Sequence, residues 1–237
     1  MRLVMRVFAR MMQEILHDSM LVAVCFASLL AAFAFRFGIP TLEDFLCLTF
    51  HQESIISPYY QLIDLMLIQL TPYMFCFAPA MVMLDEYDQN ITSALAVTPL
   101  GLSGYLFSHL LMPAILASII SLVLITIFSL TSWPMSTLII LCIISGSTGL
   151  LAAMTIFSFS HNKLEGMAMG KLSGLLLMGL PIPYLMDTPL MYGFSLFPSF
   201  WMALYAQTQN RFFALLSLGT AYLIMPLLYA RVQRKLS

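Results

Sequence analysis

The chain has 237 residues, 61% of them hydrophobic and 9% charged, with a formal net charge of −1 and a mean hydropathy of +0.93. Soluble domains carry about 45–50% apolar and about 25% charged residues, so the polar groups here are too few to cover a water-facing surface. A cytosolic enzyme, a disordered chain and a basic nucleic-acid binder are excluded, and an integral membrane protein remains.

Residues 1–18 read as an amphipathic helix. Leu3, Val4, Val7, Phe8, Met11, Met12 and Ile15 share one face, while Arg2, Arg6, Arg10, Gln13 and His17 share the other. Such a helix lies in the membrane interface with its arginines near lipid phosphates. Six apolar runs follow, at about 19–37, 62–84, 105–130, 135–159, 168–186 and 212–230, each near the roughly 20 residues that a bilayer core requires. The runs lack strand-type alternation, which favours helices over a barrel. The cysteines, Cys25, Cys47, Cys76 and Cys142, form no CxxC pair, so neither a disulfide framework nor a zinc site is expected.

Lysine and arginine set the orientation. With the N-terminus inside, Arg2, Arg6, Arg10, Lys163, Lys171, Arg231, Arg234 and Lys235 are cytoplasmic, and only Arg36 and Arg211 lie outside. Both termini are then cytoplasmic. The external stretch 38–61 carries Glu43, Asp44, His51 and Glu53, and Ser57-Pro58 suits an N-cap and first helical residue for the second span. Asp64 reads as an interfacial carboxylate reaching water. No buried ionisable partners are evident in the spans, and the histidines fall at span edges or outside them.

Residues 85–104 connect the second and third spans on the cytoplasmic side. Asp85, Glu86 and Asp88 open this segment, where a helix dipole favours negative charge. Ile91, Leu95 and Thr98 follow at one-turn spacing, and Thr98-Pro99 ends the helix. The loop 160–167 is polar, and Gly166, Gly170 and Gly174 then recur every fourth residue, a stripe that permits close helix packing. Residues 187–211 contain Leu196-Phe197-Pro198-Ser199-Phe200-Trp201 and Tyr205. Aromatic residues suit the outer membrane interface, and the length suits a partly re-entrant helical pair.

The sequence holds no GxxxxGK[ST] phosphate loop and no HExxH, and Thr148 stands where the serine of a GxSG nucleophile would be. No catalytic, cofactor-binding or metal site is expected.

Several of these features together resemble the ABC-2 type permeases, the membrane subunits of ATP-binding-cassette transporters. The motifs are Asp85-Glu86, Thr92, the run Leu95-Ala96-Val97-Thr98-Pro99-Leu100, and Phe197-Pro198 with Trp201. The run Asn162-Lys163-Leu164-Glu165-Gly166-Met167-Ala168 is similar to the loop before the fifth span in small permeases related to fluoroquinolone-export subunits. The basic residue usual after the first acid is absent, with Tyr87 and Gln89 nearby. The resemblance implies an all-α membrane protein in one ABC-2 type domain over 1–237. It would have six transmembrane helices, an N-terminal interfacial helix and a cytoplasmic coupling helix.

It further implies that Asp85, Glu86, Asp88, Thr92, Leu95, Thr98 and Pro99 couple to a separate ATPase, with Asn162, Lys163, Glu165 and Gly166 forming a second cytoplasmic loop. ATP and Mg would sit on that ATPase. A second permease subunit, identical or different, would complete the unit in the cell membrane of a bacterium. The expected function is export of a hydrophobic or amphipathic drug or peptide. The nineteen methionines would give an adaptable lining, and the substrate-binding residues are not identifiable. The alternative is an ATPase-independent secondary transporter or an accessory or immunity membrane protein.

Overall fold

A computed structural model describes residues 2–89, 101–186 and 188–236, with side chains from residue 4 onward. Among these residues the regular structure is helical throughout. The longer helices are α1 Arg2–His17, α2 Ser19–Phe33, α3 Ile39–Phe50, α4 Tyr60–Asp88, α5 Gly101–Leu106, α6 Met112–Phe128, α7 Met135–Phe159 and α8 Lys163–Ser173. The short α9 Ile182–Leu185 follows, then α10 Pro198–Thr208 and α11 Arg211–Leu236.

Large apolar side chains are exposed along the outside of the bundle. They include Phe26 and Leu30 on α2, Phe37 between α2 and α3, Phe45 and Leu48 on α3, and Leu215, Leu223 and Leu227 on α11. Water would penalise such a surface; a hydrocarbon layer does not. Five stretches among the described residues are long and apolar enough to cross a membrane: Ser19–Phe50, Ser57–Asp88, Gly101–Phe128, Met135–Phe159 and Arg211–Leu236.

Two of these stretches contain a π turn, at Ala34–Gly38 and Phe107–Leu111. Each sits just before a proline, Pro40 and Pro113. A proline within a helix lacks the N–H donor and crowds the carbonyl four residues back. The widened turn absorbs that conflict without ending the helix. The first span accordingly runs on to Phe50, past the boundary read near residue 37. The third begins at Gly101, whose φ of +65° starts the helix from the left-handed region, so 101–104 are not a separate turn. Ser57 gives no side-chain cap; Ser57–Tyr59 form a 3-10 turn that leads into α4.

Helices α4 and α7 form the centre. Pro72 lies inside α4 and leaves the Ile68 carbonyl without its helical donor. Ser121 Oγ of α6 donates to that carbonyl at 2.9 Å. Gly149 of α7 packs on the same kink, where a Cβ would come 2.8 Å from the Pro72 carbonyl oxygen. Gln69 and Thr148, both buried, bond across the α4–α7 contact.

The run read as a fifth span at 168–186 is not one continuous helix. It consists of α8, a 3-10 turn Gly174–Leu177, turn residues 178–181 and α9. Gly174 and Gly179, with Pro181 and Pro183, weaken regular helix across this run. The run nevertheless follows α4 along its whole length. Gly166 faces Leu84 and Met81, Gly170 faces Phe77, and Tyr184 Oη reaches Gln61 Oε1 at 3.4 Å. After α9 the chain forms a 3-10 turn Pro189–Phe194, and α10 then returns along the broken run. Ser199 Oγ of α10 donates to the Leu176 carbonyl, and Gln207 Nε2 donates to the Pro183 carbonyl at 3.1 Å.

Candidate functional site

The ends of α1, α4, α7 and α11 and the start of α8 meet at one end of the bundle. Asp18 caps α2, accepting from Met20 N at 2.9 Å and Leu21 N at 3.3 Å. Its other oxygen accepts from Lys163 Nζ at 2.6 Å, and the same ammonium stands 3.7 Å from Asp85. The Lys163 contact holds the Asp18 carboxyl below its ordinary value, and the Asp18 contact raises Lys163 above its own. Asn162 caps α8 by accepting from Glu165 N at 2.9 Å, while Glu165 Oε2 accepts from His161 N at 2.7 Å. This reciprocal arrangement resembles a capping box, and N-x-x-E was its visible signal in a stretch read only as a polar loop. Lys235 of α11 donates to the carbonyls of Phe157 and Ser160, joining α11 to the end of α7.

Asp85, Glu86 and Asp88 are placed differently from the sequence reading. They occupy the last turns of α4, not the start of a new helix, because α4 runs unbroken to Asp88 past both Pro72 and Pro79. Negative charge there opposes the helix dipole, and the offset comes from side chains. Lys163 serves Asp85. Tyr105 Oη donates to Glu86 Oε2 at 2.6 Å. Asp88 is exposed. Thr92, Leu95, Thr98 and Pro99 lie outside the described residues.

His109 corrects a second expectation. It is 1% exposed, on the π turn before Pro113, with Nε2 3.6 Å from Glu86 Oε2. The spans therefore do contain a buried ionisable pair. From α1, Arg10 and Glu14 line the same polar hollow of about 590 Å³, together with Asp85, Glu86 and Lys163. Arg10 Nε also donates to Glu14 at 3.3 Å.

Asp64 corrects a third. At 2% exposure it does not reach water. Oδ1 accepts from Leu130 N at 2.8 Å; Oδ2 accepts from Thr131 N at 3.0 Å, the Thr131 hydroxyl and Trp133 Nε1 at 2.9 Å. This carboxylate organises the turn between α6 and α7, and its role is structural.

The opposite wall of the π turn is apolar. Leu106, Phe107, Leu110 and Leu111 face Leu150 and Met154 of α7 and Tyr222, Met225 and Tyr229 of α11 across a cleft of about 460 Å³. A second hollow of about 390 Å³ adjoins it and shares Leu111, Leu150, Tyr222 and Met225. Pro226 lies in α11 at the cleft and leaves the Tyr222 carbonyl without its helical donor. The cleft thus offers aromatic, thioether and aliphatic surface with a few oxygens at its edge.

Gly166 and Gly170 lie against α4 within this chain, close enough that an added Cβ would fall 2.4 Å from Leu84 Cδ1 and 2.5 Å from Phe77 Cε2. Gly174 is looser, with Tyr73 Oη at 3.7 Å from such a Cβ. No group of metal-ligating side chains occurs among the described residues.

A family model described as "Fluoroquinolones export permease protein Rv2686c-like" matches residues 11–230. Two curated proteins of Mycobacterium tuberculosis are similar to the chain. They are the fluoroquinolones export permease proteins Rv2686c of strain H37Rv and MT2760 of strain CDC 1551. Each is 29% identical over 149 residues, covering 61% of this chain and 59% of the relative. The matched region thus spans less than two thirds of either relative. No solved structure matches.

Proposed function

The chain belongs to the Rv2686c-like family of fluoroquinolone export permeases, and from that premise we propose that it is the membrane subunit of an ATP-binding-cassette exporter for apolar or amphipathic drugs. The observation that carries this reading is the family match over residues 11–230. The cleft between the π turn, α7 and α11 supports it, because its lining suits a cargo that partitions into the membrane first. The sequence has no phosphate loop, so hydrolysis falls to a separate ATPase with ATP and Mg.

In this reading the broken run from α8 to α9 is a sixth crossing. It parallels α4 from the level of Leu84 to that of Gln61. Both termini are cytoplasmic, on the lysine and arginine asymmetry. The segment after α9, ending in α10, is re-entrant from the outside. The acidic end of α4 meets the ATPase, beside the second loop at Asn162, Lys163, Glu165 and Gly166, and Thr92, Leu95, Thr98 and Pro99 are the further coupling residues that the resemblance implies. A second permease subunit completes the exporter.

A proton-driven carrier without an ATPase is the second reading, favoured by the buried pair of Glu86 and His109. One reconstitution separates the two. The permease is co-purified with the product of a neighbouring ATPase gene and sealed in lipid vesicles. Fluoroquinolones and other hydrophobic drugs are expected to change ATP turnover and to move only with ATP. Movement driven by a pH gradient alone would overturn the ATPase assignment, and a response confined to oligosaccharides or small ions would overturn the cargo class. Orientation is checked separately. In a variant whose native cysteines are serine, a cysteine at the exposed position Glu53 is expected to react with an impermeant thiol reagent in intact cells, and a cysteine at Asn162 only after permeabilisation. The reverse pattern refutes the topology.

A further inference from the structure

The π turn Phe107–Leu111 has two working faces. Phe107, Leu110 and Leu111 form one wall of the cleft, while Ser108 and His109 are buried on the other side, toward the end of α4. A displacement of this turn therefore moves a cleft wall and the surroundings of Glu86 together.

The hydrogen bonds fix the imidazole tautomer. Ser108 Oγ donates to the Tyr105 carbonyl at 2.8 Å, which uses its only proton. At 2.9 Å from His109 Nδ1 that oxygen can only accept, so Nδ1 carries the hydrogen. In the neutral ring Nε2 is then a bare lone pair. It is buried, makes no hydrogen bond, and faces the Glu86 carboxylate at 3.6 Å. A buried lone pair opposite a carboxylate is unfavourable, since neither atom can donate to the other; Glu86 itself keeps access to the polar hollow. Protonation of Nε2 reverses the sign. The imidazolium N–H becomes a donor to Glu86, and a charge-assisted bond of this type closes to about 2.7–2.9 Å.

We propose that His109 and Glu86 form a proton-operated joint between the cleft wall and the acidic end of α4. This deepens the permease reading and rests on it for its link to transport. The proton comes from water in the polar hollow that Glu86 lines, passes by way of the Glu86 carboxylate and ends on His109 Nε2. A transient Glu86 O–H bond forms and then breaks as the His109 Nε2–H bond is made, which restores the carboxylate. The other charged or titratable groups lining the hollow or facing the pair are Arg10, Glu14 and His17 from α1, Asp18 just after it, Asp85 from α4, Tyr105 from α5 and Lys163 from α8. Helix α7 has no acidic, basic or histidine side chain. Neutral His109 leaves the π turn held away from α4; charged His109 draws it in by the difference between 3.6 Å and a normal bond. His109 and Glu86 are positioning residues in this scheme, and neither touches cargo.

The test uses the full chain in lipid nanodiscs without any ATPase. The four native cysteines are replaced by serine, and spin labels are attached at Gln89→Cys and Ser103→Cys, both exposed positions. The inter-label distance is expected to shift in one step over about pH 5 to 8, where imidazole changes charge. His109→Gln and Glu86→Gln are each expected to abolish the step. His17→Gln, His51→Gln and His161→Gln are expected to keep it.

A distance that does not respond to pH, or a step that survives His109→Gln, overturns the joint. Drug transport by permease and ATPase is measured in parallel. Loss of all transport with the step intact refutes the permease reading and leaves the joint standing. A drug-stimulated turnover with the same pH profile in wild type and His109→Gln shows that the joint has no part in transport and overturns the proposal.

Discussion

Replacing Asp64 by alanine removes the acceptor of four donors at once: Leu130 N, Thr131 N, the Thr131 hydroxyl and Trp133 Nε1. Hydrogen bonds to a charged group contribute about 1.5–3 kcal/mol each. They do not add fully here, because the turn lies at the end of the bundle and some donors recover water after relaxation. Removing Asp64 leaves neutral donors behind, and with two or three of them unpaired at about 1–3 kcal/mol each, roughly 3–5 kcal/mol is the expected destabilisation for Asp64→Ala. At about 2–4 °C per kcal/mol for a chain of this size, the midpoint falls by roughly 6–20 °C. Asp64→Asn is milder. Its carbonyl oxygen can take the place of Oδ2 and keep Thr131 and Trp133, but its amide then confronts Leu130 N, at a cost of about 1–3 kcal/mol. Thermal denaturation in detergent, read by a thiol-reactive dye as the buried Cys76 and Cys142 become accessible, gives the ranking. Trp133 emission, isolated in a Trp201→Phe background, is expected to shift to the red in both variants. A midpoint for Asp64→Ala within about 2 °C of wild type would refute the reasoning, since that is the outcome expected of a carboxylate free in water.

Gly149→Ala is expected to destabilise the protein by about 1–3 kcal/mol through overpacking against the Pro72 carbonyl, whereas Gly219→Ala, with nothing within 4 Å of the new Cβ, is expected to gain about 0.5–1 kcal/mol from helix propensity; the same dye assay compares them. The Asp18–Lys163 pair has a pH signature with two limbs. Asp18 titrates below its ordinary value, so its contribution is present above the unfolded carboxyl value and disappears as pH falls through the lowered one. Lys163 titrates above its ordinary value, so its contribution is complete below the unfolded lysine value and disappears as pH rises through the raised one. Both side chains are partly exposed, and Asp18→Asn is expected to cost only about 0.2–1 kcal/mol for the pair plus a few tenths for the weakened cap. A melting midpoint whose acid limb is unchanged in Asp18→Asn counts against this assignment.

Composition and hydropathy disclosed the membrane class because burial in lipid needs only apolar length, and both are written in the chain one residue at a time. The order of elements was legible for the same reason. The interruptions were less so. The apolar run of the first span ends near residue 37, before Pro40, yet the helix continues through a π turn; the run of the third passes straight across Pro113, with no local sign of the π turn before it. Gly174, Gly179, Pro181 and Pro183 break an apolar run that hydropathy counts as continuous, because hydropathy has no term for backbone geometry. Asp64 and His109 were misplaced for a different reason. Their partners lie 66 to 69 and 23 residues away in sequence, and no periodicity points from one to the other. The Asn162 and Glu165 cap was the opposite case, a three-residue spacing that local reading could have caught.

The broken run from α8 to α9 has a consequence for how the protein is made. Two of its carbonyls are served from α10: Leu176 by Ser199 and Pro183 by Gln207. When residues 163–185 leave the ribosome, α4 is already synthesised and α10 is not. Lipid supplies no donor for an exposed carbonyl, and each one left bare costs several kcal/mol. As the sixth crossing proposed above, the run would have no stable solitary state in the hydrocarbon. It would have to wait at the insertion machinery, or in a water-lined crevice of the nascent bundle, until at least residue 207 has emerged. Translation would thus deliver this part of the chain as a pair of segments that enter together, and a stop codon placed between α9 and α10 would leave an orphan for quality-control proteases.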